Sequence, residues 1–323
     1  MNISVVGAGY QGLVVATCLA ENGHTVTCVD RDAPRIENLR EGVPPIHEPG
    51  LEELIVRNLE EERLSFTTDL REATEGRLIV FLCVGTATSE DGEIDITNVL
   101  DVVRDIAAAM NDYHIVINKT TCPPGTADEI EKILTEGKDH PCDVVVNPDF
   151  LKQGAAIDEF MRPDRVVIGC EDVRVREILK ELYSPFLRTG KPFLVMSRRS
   201  AEMAKFATNA MLATRISLMN QLADICVAHG ADIADVREGL ASDERIGPTF
   251  LFPGLGYGGF GLPKDLATCA KLARDKGVEC DLIDAVSRVN QRRQEQFLRN
   301  ILDFYGERIQ GMRLAMWGAS FKP

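Results

Sequence analysis

The tightest constraint on the fold lies in the first thirty residues. Ile3 to Val6 is a short β-rich run, followed at once by Gly7-Ala8-Gly9-Tyr10-Gln11-Gly12 and a helical stretch through Leu19. A second β-rich run, Thr25 to Val29, then ends in Asp30. Strand, glycine turn, helix, strand and acidic residue in this order form the βαβ unit that holds a dinucleotide. Gly7 permits the tight turn, Gly9 lets backbone approach a pyrophosphate, and Gly12 packs helix on strand. The N–H groups at the helix start, around Tyr10 and Gln11, face the phosphates. Asp30, 18 residues after Gly12, can accept hydrogen bonds from a ribose diol and favours NAD over NADP. Arg31 and Arg35 soften that preference. The bland alternative is a glycine turn with no ligand; two flanking strands and the acid argue against it.

Further β-rich runs cover Leu78–Val84, His114–Ile117, Val144–Val146 and Arg165–Gly169, with helical stretches between most of them. This alternation predicts an α/β fold, a Rossmann-like doubly wound parallel sheet over residues 1–198. Residues 199–305 then read as an all-α segment. One long helical pattern runs from Ser200 to Ala228, rich in Ala, Leu and Met, with no Pro or Gly before Gly230. Ser200 is its expected N-cap, and Met203 denies it a capping box. Shorter patterns at Ile233–Leu240 and Leu266–Lys276 flank a glycine loop, and Asp281 to Tyr305 is helical again. Arg313–Gly318 reads as the first strand of another α/β unit. A lone strand cannot bury both faces, so residues 306–323 are expected to open a further domain otherwise missing here.

The net charge of -14 argues against nucleic acid as a partner, since phosphate binding needs a basic surface. No apolar run approaches the roughly 18 residues of a membrane span, and the N-terminus has no signal-peptide pattern. Nine scattered cysteines form no CxxC pair and no zinc spacing, which points to a reduced, cytoplasmic setting and no metal site. The five histidines form no catalytic or ligating pattern. Lys205 and Asn209 share a helix face at i and i+4 among apolar neighbours, where an unpaired charge is costly. On this pattern alone, a solvated pair is an equal alternative.

The loop Gly256-Tyr257-Gly258-Gly259-Phe260-Gly261-Leu262-Pro263-Lys264-Asp265 resembles the active-site loop of the UDP-glucose/GDP-mannose dehydrogenase family, Gly-Phe-Gly-Gly-Ser-Cys-Phe-Pro-Lys-Asp. Four more segments are similar to that family. They are Pro45-Ile46-His47-Glu48-Pro49-Gly50-Leu51; Val84-Gly85-Thr86 with Asp91-Gly92 and Asp95; Lys119 to Thr126; and Asn147 to Gly154 with Pro163-Asp164-Arg165. The resemblance implies NAD as cofactor and a sugar nucleotide as substrate, with a homodimer formed through the central helix. It implies cofactor contacts at Val84, Gly85, Thr86, Thr121 and Lys264, beside the residues of the first turn. It implies Lys205, Asn209, Asp265 and Thr121 as the catalytic set, with Asp265 supporting a catalytic water. Asp149, Phe150, Leu151, Gln153, Arg245, Phe250, Gly258, Gly261, Phe321 and Lys322 match substrate positions, with Arg245 offered across the dimer. For Arg245, Phe250 and Phe321-Lys322, ordinary packing is the reading without the resemblance.

Three departures from the family pattern bear on its trapping and hydrolysis chemistry. Its nucleophilic Cys is Gly261, a Glu is Gln153, and a second Glu is Asp149. The resemblance implies a two-step oxidation of a sugar alcohol in which that Cys traps the aldehyde as a thiohemiacetal. Glycine has no nucleophile and Gln153 cannot act as a base, so the covalent route is closed. The retained set still serves alcohol oxidation. The expectation is a two-electron dehydrogenase that stops at a carbonyl. A secondary alcohol on an extended sugar would use the space at Gly261 and give a ketone. The alternatives are a four-electron reaction with a substitute thiol, Cys122 or Cys269, and an inactive homologue that binds NAD or a partner.

Overall fold

A computed structural model describes residues 1–89, 91–137, 140–187 and 190–318. Two compact units emerge. The first comprises Met1–Ala87 and Ile94–Lys205; the second comprises Thr88–Glu93 and the chain from Phe206 onward.

The first unit carries strands β1 (Asn2–Val6), β2 (Thr25–Val29), β3 (Leu64–Thr67), β4 (Ile79–Leu82), β7 (His114–Asn118), β8 (Cys142–Val146), β9 (Val166–Gly169) and β10 (Phe193–Met196) in one sheet, with a small ribbon of β5 (Ala87–Thr88) and β6 (Ile94–Asp95). The sheet order is β10-β9-β8-β7-β4-β1-β2-β3. Helices α1 (Tyr10–Glu21), α2 (Ala33–Arg40), α3 (Leu51–Glu60), α4 (Leu70–Thr74), α5 (Thr97–Ala109), α6 (Thr126–Thr135), α7 (Ala156–Met161) and α8 (Val173–Tyr183) cover it. Successive strand residues feed opposite cores, as a pleated strand requires. Ile3, Val5, Ile79, Phe81, Ile115 and Ile117 join one core with α1, α3 and α8. Val6, Val80, Leu82 and Val116 join the other with α5 and α6.

The sheet is not wholly parallel, which corrects the sequence expectation. β9 pairs antiparallel with β8 at Val146 and Gly169, and β10 follows β9 in parallel. The chain between β8 and β9 is mostly loop and folds only the six-residue α7, so it enters β9 from the opposite end. The two strands that sequence reading passed over, β3 and β10, are the sheet's edges. Each has four residues, and short edge strands carry little periodic signal.

The second unit holds most of α9 (Arg198–His229), then α10 (Ile233–Ala241), α11 (Gly261–Asp275) and α12 (Asp281–Tyr305). Its core gathers Ala213, Tyr257, Leu266 and Val286. Two helix starts differ from expectation. α9 begins at Arg198, and Ser197, not Ser200, is the capping residue: Ser197 Oγ accepts from Ser200 N at 3.2 Å. α11 begins at Gly261, five residues before Leu266. Pro263 falls in its first turn, where a missing N–H costs no helical bond. The expected strand at Arg313–Gly318 does not form. These residues are irregular and exposed, and no described residue pairs with them; a strand without neighbours is unstable. Among the described residues, no helix is long and apolar enough to cross a membrane.

Candidate active site

The turn after β1 is built around absent side chains. Gly7 sits at φ +105°, and a Cβ there would lie 2.6 Å from the Cys83 carbonyl oxygen. A Cβ on Gly12 would lie 1.7 Å from the carbonyl oxygen of Gly7. Gly9 is different: nothing stands within 4 Å of where its Cβ would be. Its backbone faces open space at the start of α1, which has no side-chain cap. The unsatisfied N–H groups of the first turn and this open cradle fit a dinucleotide pyrophosphate. The turn lies where β1 meets β4, at the point where strand order reverses, the usual place for a ligand in a doubly wound sheet.

Asp30 closes this cradle from β2. Its Oδ2 accepts from Ala8 N at 2.8 Å and from Arg35 Nη1 at 3.0 Å, and its Oδ1 accepts from Asp32 N at 3.1 Å. Arg35 also pairs with Asp32 at 3.1 Å, so its charge is matched by two carboxylates. Val84, Gly85 and Thr86 follow β4. Thr120 Oγ1 donates to the Val84 carbonyl at 3.0 Å, and Asn98 Nδ2 to that of Gly85 at 3.2 Å. Thr121 follows β7 and is half-buried.

The side chains of Tyr10 and Gln11 turn inward, leaving their backbone N–H groups as what they offer a cofactor. Gln11 Nε2 donates to the Lys119 carbonyl at 3.0 Å. Tyr10 Oη donates to Glu48 Oε2 at 2.8 Å. Buried Glu48 also accepts from Gly154 N at 2.8 Å and Ala156 N at 2.7 Å. One carboxylate thus ties the dinucleotide turn to the loop bearing Asp149, Phe150, Leu151 and Gln153. Within that loop, Asp149 Oδ1 accepts from Leu151 N at 3.0 Å. Leu151 packs on the core and Gln153 is exposed. The Phe150 ring carries the Arg165 guanidinium at 4.2 Å from its centroid and Lys205 Nζ at 5.7 Å.

Lys119 is buried beneath this region, and its Nζ donates to Asn147 Oδ1 at 3.1 Å. Burial pushes its ammonium below the ordinary lysine range, Asp149 and Cys83 pull it back up, and Lys205 lowers it further. Burial pushes the Cys83 thiol up to about 12. Neither Glu48 nor Lys119 stood among the expected site residues. Their signal was a charged residue amid apolar or turn-forming neighbours, which a sequence alone cannot separate from a solvated one.

In the second unit, the fold brings Asn209 and Asp265 together. Asn209 Nδ2 donates to Asp265 Oδ2 at 2.5 Å. Asp265 is 1% exposed, and its Oδ1 has no hydrogen-bond partner among the described residues. Lys264 Nζ stands 3.7 Å from that oxygen. A buried carboxylate oxygen left open is costly, and it suits a water or a substrate hydroxyl.

The glycine loop is held by residues that sequence reading did not single out. Asn290 of α12 accepts from Tyr257 N at 2.8 Å and donates to the Tyr257 carbonyl at 3.0 Å. A Cβ on Gly256, at φ +105°, would meet Asn290 Oδ1 at 2.3 Å. Asn220 accepts from Gly254 N at 2.7 Å, and Arg293 Nε donates to its carbonyl at 2.8 Å. The readable hint was Asn290 four residues after Val286, the two buried residues of α12. Gly258 and Gly261 have nothing within 4 Å of a would-be Cβ. Phe250 adopts φ +58°, a strained conformation for a bulky residue. Arg245 is exposed and pairs with Asp243 of its own turn at 2.6 Å. Phe321 and Lys322 lie outside the described residues. Cys122 and Cys269 are both buried, and burial raises the Cys269 thiol.

Residues 1–187 match the UDP-glucose/GDP-mannose dehydrogenase family, NAD binding domain, and residues 199–292 match its central domain. The chain is 44% identical over 328 residues to a UDP-glucose 6-dehydrogenase of Pseudomonas aeruginosa, covering 100% of this chain and 72% of that one. It is 42% identical to the Rhizobium meliloti UDP-glucose 6-dehydrogenase, with 100% and 75% covered. Among solved structures, a UDP-glucose dehydrogenase from Pyrobaculum islandicum superposes with a TM-score of 0.88 at 36% identity, over 97% of this chain and 72% of that one. A GDP-mannose dehydrogenase from Pseudomonas aeruginosa, in a ternary complex, gives 0.71 at 31% identity, over 94% and 71%. With the cradle, the acid on β2 and both domain matches in agreement, the chain belongs to the UDP-glucose/GDP-mannose dehydrogenase family and is an NAD-dependent nucleotide-sugar oxidoreductase.

Proposed function

We propose that this enzyme oxidises one alcohol of a nucleotide sugar to a carbonyl in a single hydride transfer and stops there. The observation that carries the reading is Gly261, standing where the family motif has its cysteine. Gln153 in place of a Glu supports it, as does the burial of Cys122 and Cys269, the two candidate substitute thiols. The identity to UDP-glucose 6-dehydrogenases makes a UDP-sugar the first substrate to examine. A secondary alcohol on an extended sugar is the form that suits a site without a thiol.

Bound NAD supplies the hydride acceptor. The protein's residues supply the rest. Gly7, Gly9 and the first turn of α1 would hold the NAD pyrophosphate, and Asp30 would hold its ribose. The Lys205 ammonium steadies the alkoxide that forms as the hydroxyl loses its proton. Asn209 orients Asp265, whose open Oδ1 holds the water that receives this proton. In the first unit, the family motif assigns Thr121 to the proton transfer and Asp149, Phe150 and Leu151 to the sugar. The oxygen gives up its proton, the carbon of the resulting alkoxide gives up its hydride, and a C=O remains. Incubation with NAD and a UDP-sugar is expected to form one NADH per sugar consumed, with a neutral carbonyl product by mass. Two NADH and a carboxylic acid would sink the reading.

We further propose a homodimer seam along α9. Met211, Leu218 and Ile225 recur every seven residues and are 63%, 53% and 50% exposed. A heptad step drifts only about 20° around a helix, so the three share one face. The double variant Leu218→Glu/Ile225→Glu is expected to sediment as a monomer where the native chain sediments as a dimer. A monomeric native chain would refute the seam. All nine cysteines are free thiols, which supports a cytoplasmic setting.

A further inference from the structure

We infer that Phe260 and Gly261 form a specificity subsite for a carbon substituent on the alcohol-bearing carbon of the substrate, with the Phe260 ring as its wall. The inference rests on the single-oxidation reading and names the residues that would choose its substrate.

Gly7, Gly12 and Gly256 are glycine by necessity, because a Cβ at each would strike backbone or a buried amide at 2.6 Å or less. Gly261 meets neither condition. Its φ lies outside the left-handed region, and no described residue stands within 4 Å of a would-be Cβ. An alanine could stand there, and glycine is among the poorer residues for a helix, by about 1 kcal/mol against alanine in an interior. Backbone conformation and contact with the described residues do not account for the glycine, which leaves free space at this position for a ligand. That space opens beside functional atoms. Gly261 and Asp265 are four residues apart on α11, so they share a face. Asp265 Oδ1 has no hydrogen bond among the described residues, and the Lys264 ammonium stands 3.7 Å from it.

Phe260 is tied to that carboxylate through the same Lys264. It is the residue immediately before α11 and is 76% exposed. A single exposed apolar residue is ordinary, but this ring is not loose. Lys264 Nζ lies 5.4 Å from its centroid, a cation–π distance. The Lys264 side chain is itself only 14% exposed, which makes it a steady support. The loop thus pairs a pinned aromatic ring with a vacated neighbour. In the family motif the same two positions hold a small polar Ser and the nucleophilic Cys. The exchange removes a β-carbon and a sulfur from one position and adds an apolar wall at the other. A primary alcohol has only hydrogen to place there. A secondary alcohol has a methyl or a hydroxylated carbon, whose C–H bonds pack on an aromatic face.

The test compares UDP-glucose with its C6-methyl analogue, whose C6 hydroxyl is secondary. NADH formation gives kcat/KM for each, and calorimetry without NAD gives each dissociation constant. The native enzyme is expected to favour the methylated substrate on the order of 10-fold, the usual worth of one added carbon in an apolar pocket. Gly261→Ala fills the space without a clash and is expected to cancel that preference. Phe260→Ser removes the wall and is expected to do the same, with the melting temperature of both variants checking that they fold. An unchanged ratio of the two substrates in both folded variants would overturn the inference, as would native binding of neither sugar nucleotide. If the native enzyme binds both but turns over neither, the ratio of dissociation constants decides in the same way. Failure of the underlying reading looks different: two NADH per UDP-glucose, whatever the ratio does.

Discussion

Replacing Lys205 by methionine is expected to lower kcat by about 10²- to 10³-fold while leaving NAD affinity intact. That range is what removal of one preorganised oxyanion partner costs. Lys205 lies in α9 one turn before Asn209, and its ammonium reaches over the Phe150 ring at 5.7 Å. Phe150 is one of the residues expected to line the sugar, and under the proposed function the Lys205 ammonium meets the alkoxide there. Methionine keeps the length of the stem and the helix propensity, which leaves α9 in place and removes only the charge. The loss should therefore fall on kcat and kcat/KM alike, the signature of a contact made in the transition state. Steady-state kinetics with the UDP-sugar at saturating NAD checks this. A raised KM with kcat unchanged would show that Lys205 only binds the sugar.

The second large effect separates two glycines of one turn. Gly12→Ala places a Cβ 1.7 Å from the Gly7 carbonyl oxygen and 2.9 Å from its carbonyl carbon. Both obstacles are backbone, so the turn must open to admit the methyl group. The cost is expected to reach or exceed the roughly 1–3 kcal/mol of core overpacking, and NAD binding should be lost with the turn. Gly9→Ala meets nothing within 4 Å and should fold with an unchanged melting temperature. It should still bind NAD at least an order of magnitude more weakly, because its methyl group takes the place of the pyrophosphate. Thermal unfolding together with NAD titration distinguishes the two. Native-like NAD affinity in Gly9→Ala would show that the open space above Gly9 is not the pyrophosphate site.

Much of this molecule was legible without coordinates, and the legible parts share a cause. The βαβ unit, the alternating strands from β4 to β9 and the long α9 follow from rules that act within a few residues. A positive φ at Gly7 selects glycine, and apolar periodicity marks strand or helix. The misreadings have the opposite cause. β3 and β10 are short edges defined by what they pair with. The antiparallel turn into β9 depends on where the chain re-enters the sheet. The start of α11 was hidden because Pro263 reads as a breaker when it lies inside a first turn. Arg313–Gly318 has the composition of a strand and no described partner.

The site divides in the same way. The amino-acid sequence by itself determined the fold class, the dinucleotide turn and the acid that follows β2, signals carried by residue type and spacing along a single element. Lys205, Asn209 and Asp265 came from the resemblance to the family's motifs, because their spacing alone reads equally well as a solvated pair and a helix start. Only the tertiary structure decided that Glu48 ties the turn to the loop of Asp149, that Asn290 clamps the glycine loop, and that one oxygen of Asp265 is buried and open. It also decided that Gly261 is a glycine without a conformational or steric reason. Each of these depends on atoms brought together from distant parts of the chain, and no spacing rule records which polar group will find a partner and which will be left without one.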